Sequence, residues 1–207
     1  MLLNKFGNAD NTKNMLTECC IGDKLQLSSV YKTLVQPANE VAWAKTIWDG
    51  FLYPKHSFLL WLACHARLLT KDRLCRMGIL STNQIQCVLC NGHQLETRDH
   101  ISFECQFSAK IWNMLMDWLR YRWRSCVWRL ILNWYSHNLR GQGPMQKLKR
   151  MCLSIAVYMI WKERNQRIFH AKERQPIQIF RDIKFVVFSK VQNDDIHVHM
   201  KEILESL

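Results

Sequence analysis

Apolar residues recur every three or four positions along most of the chain, which is the spacing of one face of an α-helix. The longest such stripe comprises Trp112, Leu115, Leu119, Trp123, Cys126, Leu130 and Trp134. It predicts a core-facing helical stripe over about six turns. Gly141, Gly143 and Pro144 follow and are typical of a helix end.

Two later segments repeat this spacing. The first carries Leu148, Cys152, Ile155 and Met159. The second follows Pro176 and carries Phe180, Ile183, Val187 and Val191. Both predict amphipathic helices that bury one face.

Shorter helices are predicted before these segments. Ser28 and Ser29 can cap a helix that begins near Val30. Another helical pattern precedes Gly50 and consists of Val41, Trp43, Ala44, Ile47 and Trp48.

The helix predicted after Gly50 starts at Pro54, and its apolar face is predicted to carry Phe58, Leu62 and His65. Thr70 precedes the next helix, Asp72 favours its first turn, and Gly78 can end it.

The predicted fold class is therefore mainly α, with three parts. Residues 1–27 form a polar, partly disordered N-terminal segment. Residues 28–113 form a small helical domain around a short irregular or hairpin Cys/His knuckle. Residues 114–207 form a basic, Trp-rich helical region.

Composition narrows the possible classes of protein. The chain has 207 residues, is 48% hydrophobic and holds only seven Gly and four Pro, which favours helices over sandwiches and Gly-rich nucleotide folds. Its net charge of +12 favours an acidic partner, nucleic acid first and an anionic membrane surface second.

The sequence predicts an intracellular protein of the nucleus or cytoplasm, neither secreted nor membrane-bound. The start, MLLNKFGNAD, lacks the apolar middle of a signal peptide. The longest apolar runs, SFLLWLACHA and SIAVYMIW, are about half the length of a membrane span. The nine cysteines are accordingly interpreted as reduced thiols.

The stretch CVLCNGHQLETRDHISFEC concentrates the candidate chemistry. Cys87, Cys90, His100 and Cys105 have the spacing C-x2-C-x9-H-x4-C, which suits tetrahedral zinc. His93 is a rival ligand, and on spacing alone ordinary buried thiols beside a surface histidine remain the alternative. Four protein ligands leave no open position, so one structural Zn²⁺ is predicted rather than a catalytic one.

The residues around this cluster follow a recognisable order: WAKTIW at 43–48, PKHSFLLW at 54–61, RLLTKDRL at 67–74, ETRDHISFEC at 96–105 and IW at 111–112. Together they resemble the zinc-binding domain found after plant non-LTR (LINE-type) reverse transcriptases, over about residues 25–113. YMIWKERNQRIF at 158–169 resembles a segment that often follows this domain. Ile101 replaces the usual Leu, and Leu52-Tyr53 stands where a second Pro is common.

The resemblance implies zinc binding and an origin in a retrotransposon polyprotein, but no enzymatic activity. No polymerase palm fits before residue 28, and a ribonuclease H domain is missing. Asp194 and Asp195 are interpreted as a solvated helix end or loop, because they lack the strand–turn–strand context of a polymerase pair.

A cationic segment follows the cluster. Between Asp117 and Glu163 there are nine Lys or Arg and no acidic residue. This charge favours contact with phosphate backbones. The predicted nucleic-acid-binding residues are Arg120, Arg122, Arg124, Arg129, Lys147, Lys149 and Arg150.

The aromatic and charged residues around this segment allow two interpretations each. Unpaired bases can stack on Trp118, Tyr121 and Trp128, although tryptophans at helical spacing more often lie in a core. In the later KERNQR stretch, Glu163, Arg164 and Arg167 can form local ion pairs or extend the cationic face, and the structural role is favoured.

Three hypotheses for function follow. The leading one is a non-catalytic, zinc-stabilised module that binds RNA or DNA through a basic helical face. The second is a protein-interaction module whose aromatic helices dock a polymerase or another partner. The third is a retrotransposon remnant without selected function.

Overall fold

A computed structural model describes residues 9–22, 24–34, 43–48, 50–90, 94–120, 127–138, 141–193 and 198–207. The chain divides into two compact units, Met1–Val41 and Ala42–Leu207. The second unit contains both the Cys/His segment and the helices that follow it. The predicted boundary at residue 113 lies inside one of its helices.

The first unit contains two helices joined by a short hairpin. Its elements are α1 (Ala9–Glu18), β1 (Cys20–Ile21), β2 (Lys24–Leu25) and α2 (Leu27–Leu34). The two strands pair antiparallel, and Gly22 adopts a φ of +60° in the turn between them. Helix α2 begins at Leu27 rather than near Val30, so Ser28 and Ser29 lie inside it and do not cap it.

The second unit is helical, in agreement with the predicted fold class. It consists of α3 (Ala44–Ile47), α4 (Pro54–Cys64), α5 (Lys71–Arg76), a 3₁₀ turn (Thr82–Gln84), a π-helical turn (His100–Glu104), α6 (Gln106–Trp118), α7 (Trp128–Asn138), α8 (Pro144–His170), α9 (Pro176–Gln192) and α10 (Val198–Ser206). Within the described ranges, no helix is both long and apolar enough to cross a membrane.

Helix α8 is the centre of this unit. Its 27 residues span about 40 Å, and it packs against α3, α4, α6, α9, α10 and the π-helical turn. Its predicted apolar positions are all buried, as are three of those predicted in α9: Leu148, Cys152, Ile155, Met159, Ile183, Val187 and Val191. Both helices begin with a proline, where the missing N–H costs nothing.

The prediction of one continuous Trp-rich stripe from Trp112 to Trp134 is wrong. Helix α6 ends at Trp118, and Arg120 has a left-handed φ of +55°, which stops the helix. Before this break Trp112 is buried as predicted, but after it Trp128 is buried and Leu130 is 52% exposed. The predicted stripe positions 123 and 126 lie outside the described residues.

Helix α4 begins at Pro54 as predicted, but it buries a different face. Phe58 is 53% exposed, whereas the buried positions are His56, Ser57, Leu60 and Ala63. Every position of α4 from 58 to 64 is apolar, so the sequence contains no polar stripe along the helix to fix which side faces the core.

Helices α3 and α5 are short. α3 covers only Ala44–Ile47 of the predicted pattern, with Ile47 buried and Trp48 53% exposed. α5 follows the prediction, because Thr70 precedes its first turn and Gly78 adopts a φ of +72° after its end.

His56 is a buried core histidine of α4. Its ring lies 5.0 Å from the Tyr53 ring and 4.3 Å from the Tyr158 ring, measured between centroids. Burial, with a smaller contribution from the charge of Lys55, lowers the pKa of His56 from 6.5 to about 4. The imidazole is therefore neutral in the folded protein at neutral pH.

This lowered pKa predicts an acid-sensitive fold. Between pH 6.5 and about 4 the unfolded chain binds a proton at residue 56 that the folded chain does not, so the free energy of unfolding falls as the pH is lowered through that window. A His56→Phe protein should lose this part of the pH dependence of its free energy of unfolding. Urea unfolding at several pH values measures the free energy of unfolding of both proteins. In the difference between the two values, the contributions of other acid-sensitive groups cancel. A difference that stays constant from pH 7 to 4.5 contradicts the prediction.

Candidate metal centre

The first two candidate ligands lie on a short hairpin. Gln86 and Leu95 form an antiparallel bridge, and the Cys87 N–H donates to the Gln94 carbonyl at 2.8 Å. The Leu89 N–H donates to Cys87 Sγ at 3.4 Å, which turns the chain toward Cys90. The predicted hairpin knuckle is therefore present. Residues 91–93, with the rival ligand His93, lie outside the described residues.

The other two candidate ligands lie on the π-helical turn. The Cys105 N–H donates to the His100 carbonyl at 2.7 Å, which closes an i to i+5 turn. In an α-helix, residue i+5 lies about 140° around the axis from residue i. The wider π turn instead returns Cys105 to the side of His100. The N–H of His100 donates to Thr97 Oγ1 at 3.0 Å and fixes the start of the turn.

These two segments bring Cys87, Cys90, His100 and Cys105 together, with all four donor atoms within 4.8 Å of one another. Cys87 Sγ lies 4.0 Å from Cys105 Sγ, and Cys90 Sγ lies 3.4 Å from His100 Nε2. In a tetrahedral zinc site, two sulfurs are about 3.8 Å apart and a sulfur and a nitrogen about 3.5 Å apart. The arrangement therefore fits one zinc ion.

The surroundings of the four donors suit a structural site. Cys87, His100 and Cys105 are buried and Cys90 is half-buried. Burial lowers the pKa of His100, against the nearby charges of Glu104 and Glu96, so its imidazole stays neutral as a metal ligand must. The hydrogen bond between the thiols raises the pKa of Cys87 and lowers that of Cys105. Because zinc binds the thiolate, binding must release the proton of the Cys87 thiol.

Comparison with known proteins agrees with this geometry. Residues 25–112 match the family model described as zinc-binding in reverse transcriptase. This match confirms the resemblance to a zinc-binding domain of reverse transcriptases over about residues 25–113, and all four candidate metal ligands fall inside it. It tests neither the plant origin nor the resemblance at 158–169. No curated protein and no solved structure matches the chain.

The matched family and the donor set together support one chemical role. When bound, zinc cross-links the hairpin to the π-helical turn and provides Lewis acidity only if a coordination position is open. Here three thiols and an imidazole fill the four positions of a tetrahedral ion. The four side chains can hold one zinc ion and join the hairpin to the π-helical turn.

The described members of the predicted nucleic-acid-binding set differ in exposure. Arg120 is exposed and donates to the Ser206 carbonyl, while Lys147 and Lys149 are half-buried. Arg150 is 2% exposed and donates to the Gly141 carbonyl at 2.8 Å, so its assignment to an exposed cationic face is wrong. The remaining predicted side chains, at positions 122, 124 and 129, lie outside the description.

The two described tryptophans that were candidates for base stacking lie in the core. Trp118 is 8% exposed and packs against Phe180 and Phe188. Trp128 is 2% exposed and meets the edge of Phe103 at 4.9 Å. Their rings are therefore closed to a nucleobase. Position 121 is outside the described residues.

The structural interpretation of the KERNQR stretch is confirmed. Glu163 is fully buried and pairs with Arg167 at 3.0 Å, one helical turn away. The sequence reasoning missed the partner of Arg164, which is Glu96 at 2.6 Å, also buried. A signal was present, because KERN follows the apolar run SIAVYMIW on the same helix, where charges must be paired.

Proposed function

We propose that the chain is a non-catalytic, zinc-stabilised helical module that contacts nucleic acid through cationic side chains. A group of lysines and tyrosines from three helices and one loop supports this proposal more than any other observation. This group, here named the lysine–tyrosine face, consists of Tyr53, Lys55, Lys147, Tyr158, Lys162 and Lys190.

Cations lie over aromatic rings on both sides of His56. Lys55 Nζ lies 5.3 Å from the centroid of the Tyr158 ring. Lys190 Nζ lies 5.4 Å from the centroid of the Tyr53 ring. Both tyrosines are half-buried, so part of each ring faces solvent. Cations beside partly exposed aromatic rings suit a single strand, whose phosphates and unpaired bases both need partners.

Helix α8 carries further lysines on the same side as Tyr158. Lys162 lies one turn after Tyr158, and Lys147 lies three turns before it on the same side of the helix. Neither α4 nor residues 118–162 contain an acidic residue. A phosphate backbone matches lysines that are spread over several turns.

The metal centre supports the non-catalytic part of the proposal. Four protein donors surround the ion position and leave no place for water or substrate. The matched family is the zinc-binding part of a reverse transcriptase. In such a parent protein, the module would help the polymerase hold its RNA or its target DNA.

A protein-interaction module is the second candidate function. Several large apolar side chains are exposed in the second unit, including Phe58 at 53%, Phe169 at 70% and Phe185 at 72%. Exposed phenylalanines favour a docked protein partner, such as a polymerase domain. Such a partner would bind with little dependence on salt.

A salt titration distinguishes the two candidates. We expect the zinc-loaded chain to bind single-stranded RNA with an affinity that falls log-linearly with salt concentration. Replacing Lys55 and Lys162 with alanine should weaken binding and reduce the slope by about 0.7 for each lost phosphate contact. Fluorescence anisotropy with a labelled oligonucleotide measures both quantities.

The matched control replaces Lys13 and Lys24, two exposed lysines of the first unit, with alanine. It removes the same net charge at another place, so it should leave the slope nearly unchanged. Equal weakening by both double variants contradicts the lysine–tyrosine face. Binding that is absent or insensitive to salt contradicts nucleic-acid contact and favours the partner-docking function.

A further inference from the structure

One arginine of helix α8 contacts the metal-binding hairpin and the first turn of α6, which directly follows Cys105. Arg167 Nη1 donates to the Val88 carbonyl at 3.1 Å and to the Leu89 carbonyl at 3.4 Å, the two residues between Cys87 and Cys90. The same guanidinium lies 4.7 Å from the ring centroid of Phe107, two residues after Cys105.

The other nitrogens of Arg167 are held by its own neighbourhood. Its Nε donates to Glu163 Oε1 at 3.0 Å, and its Nη2 donates to the Arg174 carbonyl at 3.1 Å. Arg174 in turn bonds Glu163 Oε2 at 3.0 Å. Each of the three nitrogens has a partner, so the guanidinium has one defined orientation toward the metal-binding hairpin.

A second arginine of α8 holds the chain just before the other ligand segment. Arg164 donates to Glu96 Oε1 from Nε at 3.1 Å and from Nη2 at 2.6 Å. The Glu96 N–H donates to the Ile85 carbonyl at 2.8 Å, and Glu96 stands four residues before His100. Arg164 therefore fixes the position of Glu96, in the segment that connects the hairpin to the π-helical turn.

Electrostatics favours a cation at this position. Three thiolates and a neutral imidazole around Zn²⁺ give the site a net charge of about −1. The guanidinium of Arg167 lies against the Cys87–Cys90 turn and the first turn of α6, where its positive charge favours a negatively charged site. Carbonyls bonded to Arg167 are also fixed in direction, which holds the Cys87–Cys90 turn in the shape that the metal needs.

We propose that Arg167 and Arg164 are positioning residues of the zinc site, so that helix α8 sets the affinity and lifetime of the bound metal. Both arginines lie outside the matched residues 25–112. The inference depends on zinc at the four donors and is independent of nucleic-acid binding.

An Arg167→Lys protein tests the inference, because lysine keeps the charge but cannot form the three-way fork. We expect its zinc affinity to fall about 10-fold to 100-fold, the usual effect of losing a partner just outside the metal ligands. Competition with a chromophoric chelator gives the affinity, and the rate of colour development in excess chelator gives the zinc release rate, which should rise.

Two controls separate positioning from general stability. Arg181→Lys makes the same change at an exposed site of α9 and should leave zinc affinity unchanged. Val187→Ala destabilises the buried side of α9 without touching the hairpin or the π-helical turn. The inference is overturned if Arg167→Lys binds zinc as the unaltered chain does, or if Val187→Ala loses as much affinity.

An independent measurement uses the unaltered protein and so needs no variant to fold. Cadmium also favours thiolate ligands but is larger than zinc, so it should move the ligand segments slightly. We expect the Nε–H nuclear magnetic resonance signal of Arg167 to shift on this exchange, and that of Arg181 to stay in place. An unmoved Arg167 signal contradicts the inference.

Discussion

A Cys87→Ser protein is expected to lose its zinc and to melt far below the unaltered chain. The hydroxyl of serine is a poor zinc ligand, and Cys87 Sγ faces Cys105 Sγ across a buried site. Structural zinc in small sites contributes on the order of 10 kcal/mol of apparent folding free energy. Elemental analysis of the purified protein and a thermal melt followed by circular dichroism measure the two effects.

Cys75→Ser is the matched control for this change. Cys75 is half-buried on α5 and lies outside the group of four donors. The control should retain one zinc ion per chain and melt close to the unaltered protein. Unchanged metal content and melting temperature in Cys87→Ser would show that the four side chains do not hold zinc.

The second large effect is expected from Arg164→Met. This change leaves the carboxylate of Glu96, which is 0% exposed, without its charged partner. Breaking a buried ion pair in this way costs about 3–5 kcal/mol of stability. Glu96 Oε2 makes no hydrogen bond within the described structure, and Oε1 would keep only the Lys71 N–H, which donates to it at 3.0 Å and carries no net charge. Urea unfolding at neutral pH measures the loss.

Two comparisons test the cause of that loss. Arg76→Met removes an exposed arginine that pairs with Asp72, and it should cost less than about 1 kcal/mol. Adding Glu96→Gln to Arg164→Met should recover part of the lost stability, because the double variant buries no unpaired charge. A loss below about 1 kcal/mol in Arg164→Met would contradict a buried, energetically coupled pair.

Local signals in the sequence were sufficient for much of this molecule. The starts of α4 and α9 follow from Pro54 and Pro176, because proline at a first helical position acts within a single turn. Pro144, interpreted from the sequence only as part of a helix end, also begins α8. The metal ligands follow from spacing for a similar reason. Cys87 and Cys105 are 18 residues apart, so a short hairpin and one turn bring them together.

Other features depend on contacts that no local pattern contains. Arg164 and Glu96 are 68 residues apart, and neither residue type indicates the other as its partner. The end of α6 depends on Arg120 adopting a positive φ, which a sequence of good helix formers does not indicate. The buried face of α4 depends on what packs against it, because all of its positions from 58 to 64 are apolar.

The π-helical turn is a feature of the same kind. The H-x4-C spacing of His100 and Cys105 indicated a shared ligand set, but an α-helix would have pointed the two side chains in different directions. A π-helical turn closes its hydrogen bond between residues i and i+5, one residue more than in an α-helix. Such turns are rare, and they are frequent at functional sites. Metal binding gives a physical reason for the π-helical turn. The sequence alone indicates only that both side chains are metal ligands.

The position of Arg164 and Arg167 on helix α8 has a consequence for how this protein can be divided. A gene fragment that stops at residue 112 encodes all four zinc ligands. It also exposes the apolar side of α6 and removes Arg164, the charged partner of Glu96. The smallest piece that can be cloned, exchanged between proteins or inherited with its zinc site complete therefore continues at least through Arg174, which anchors Glu163.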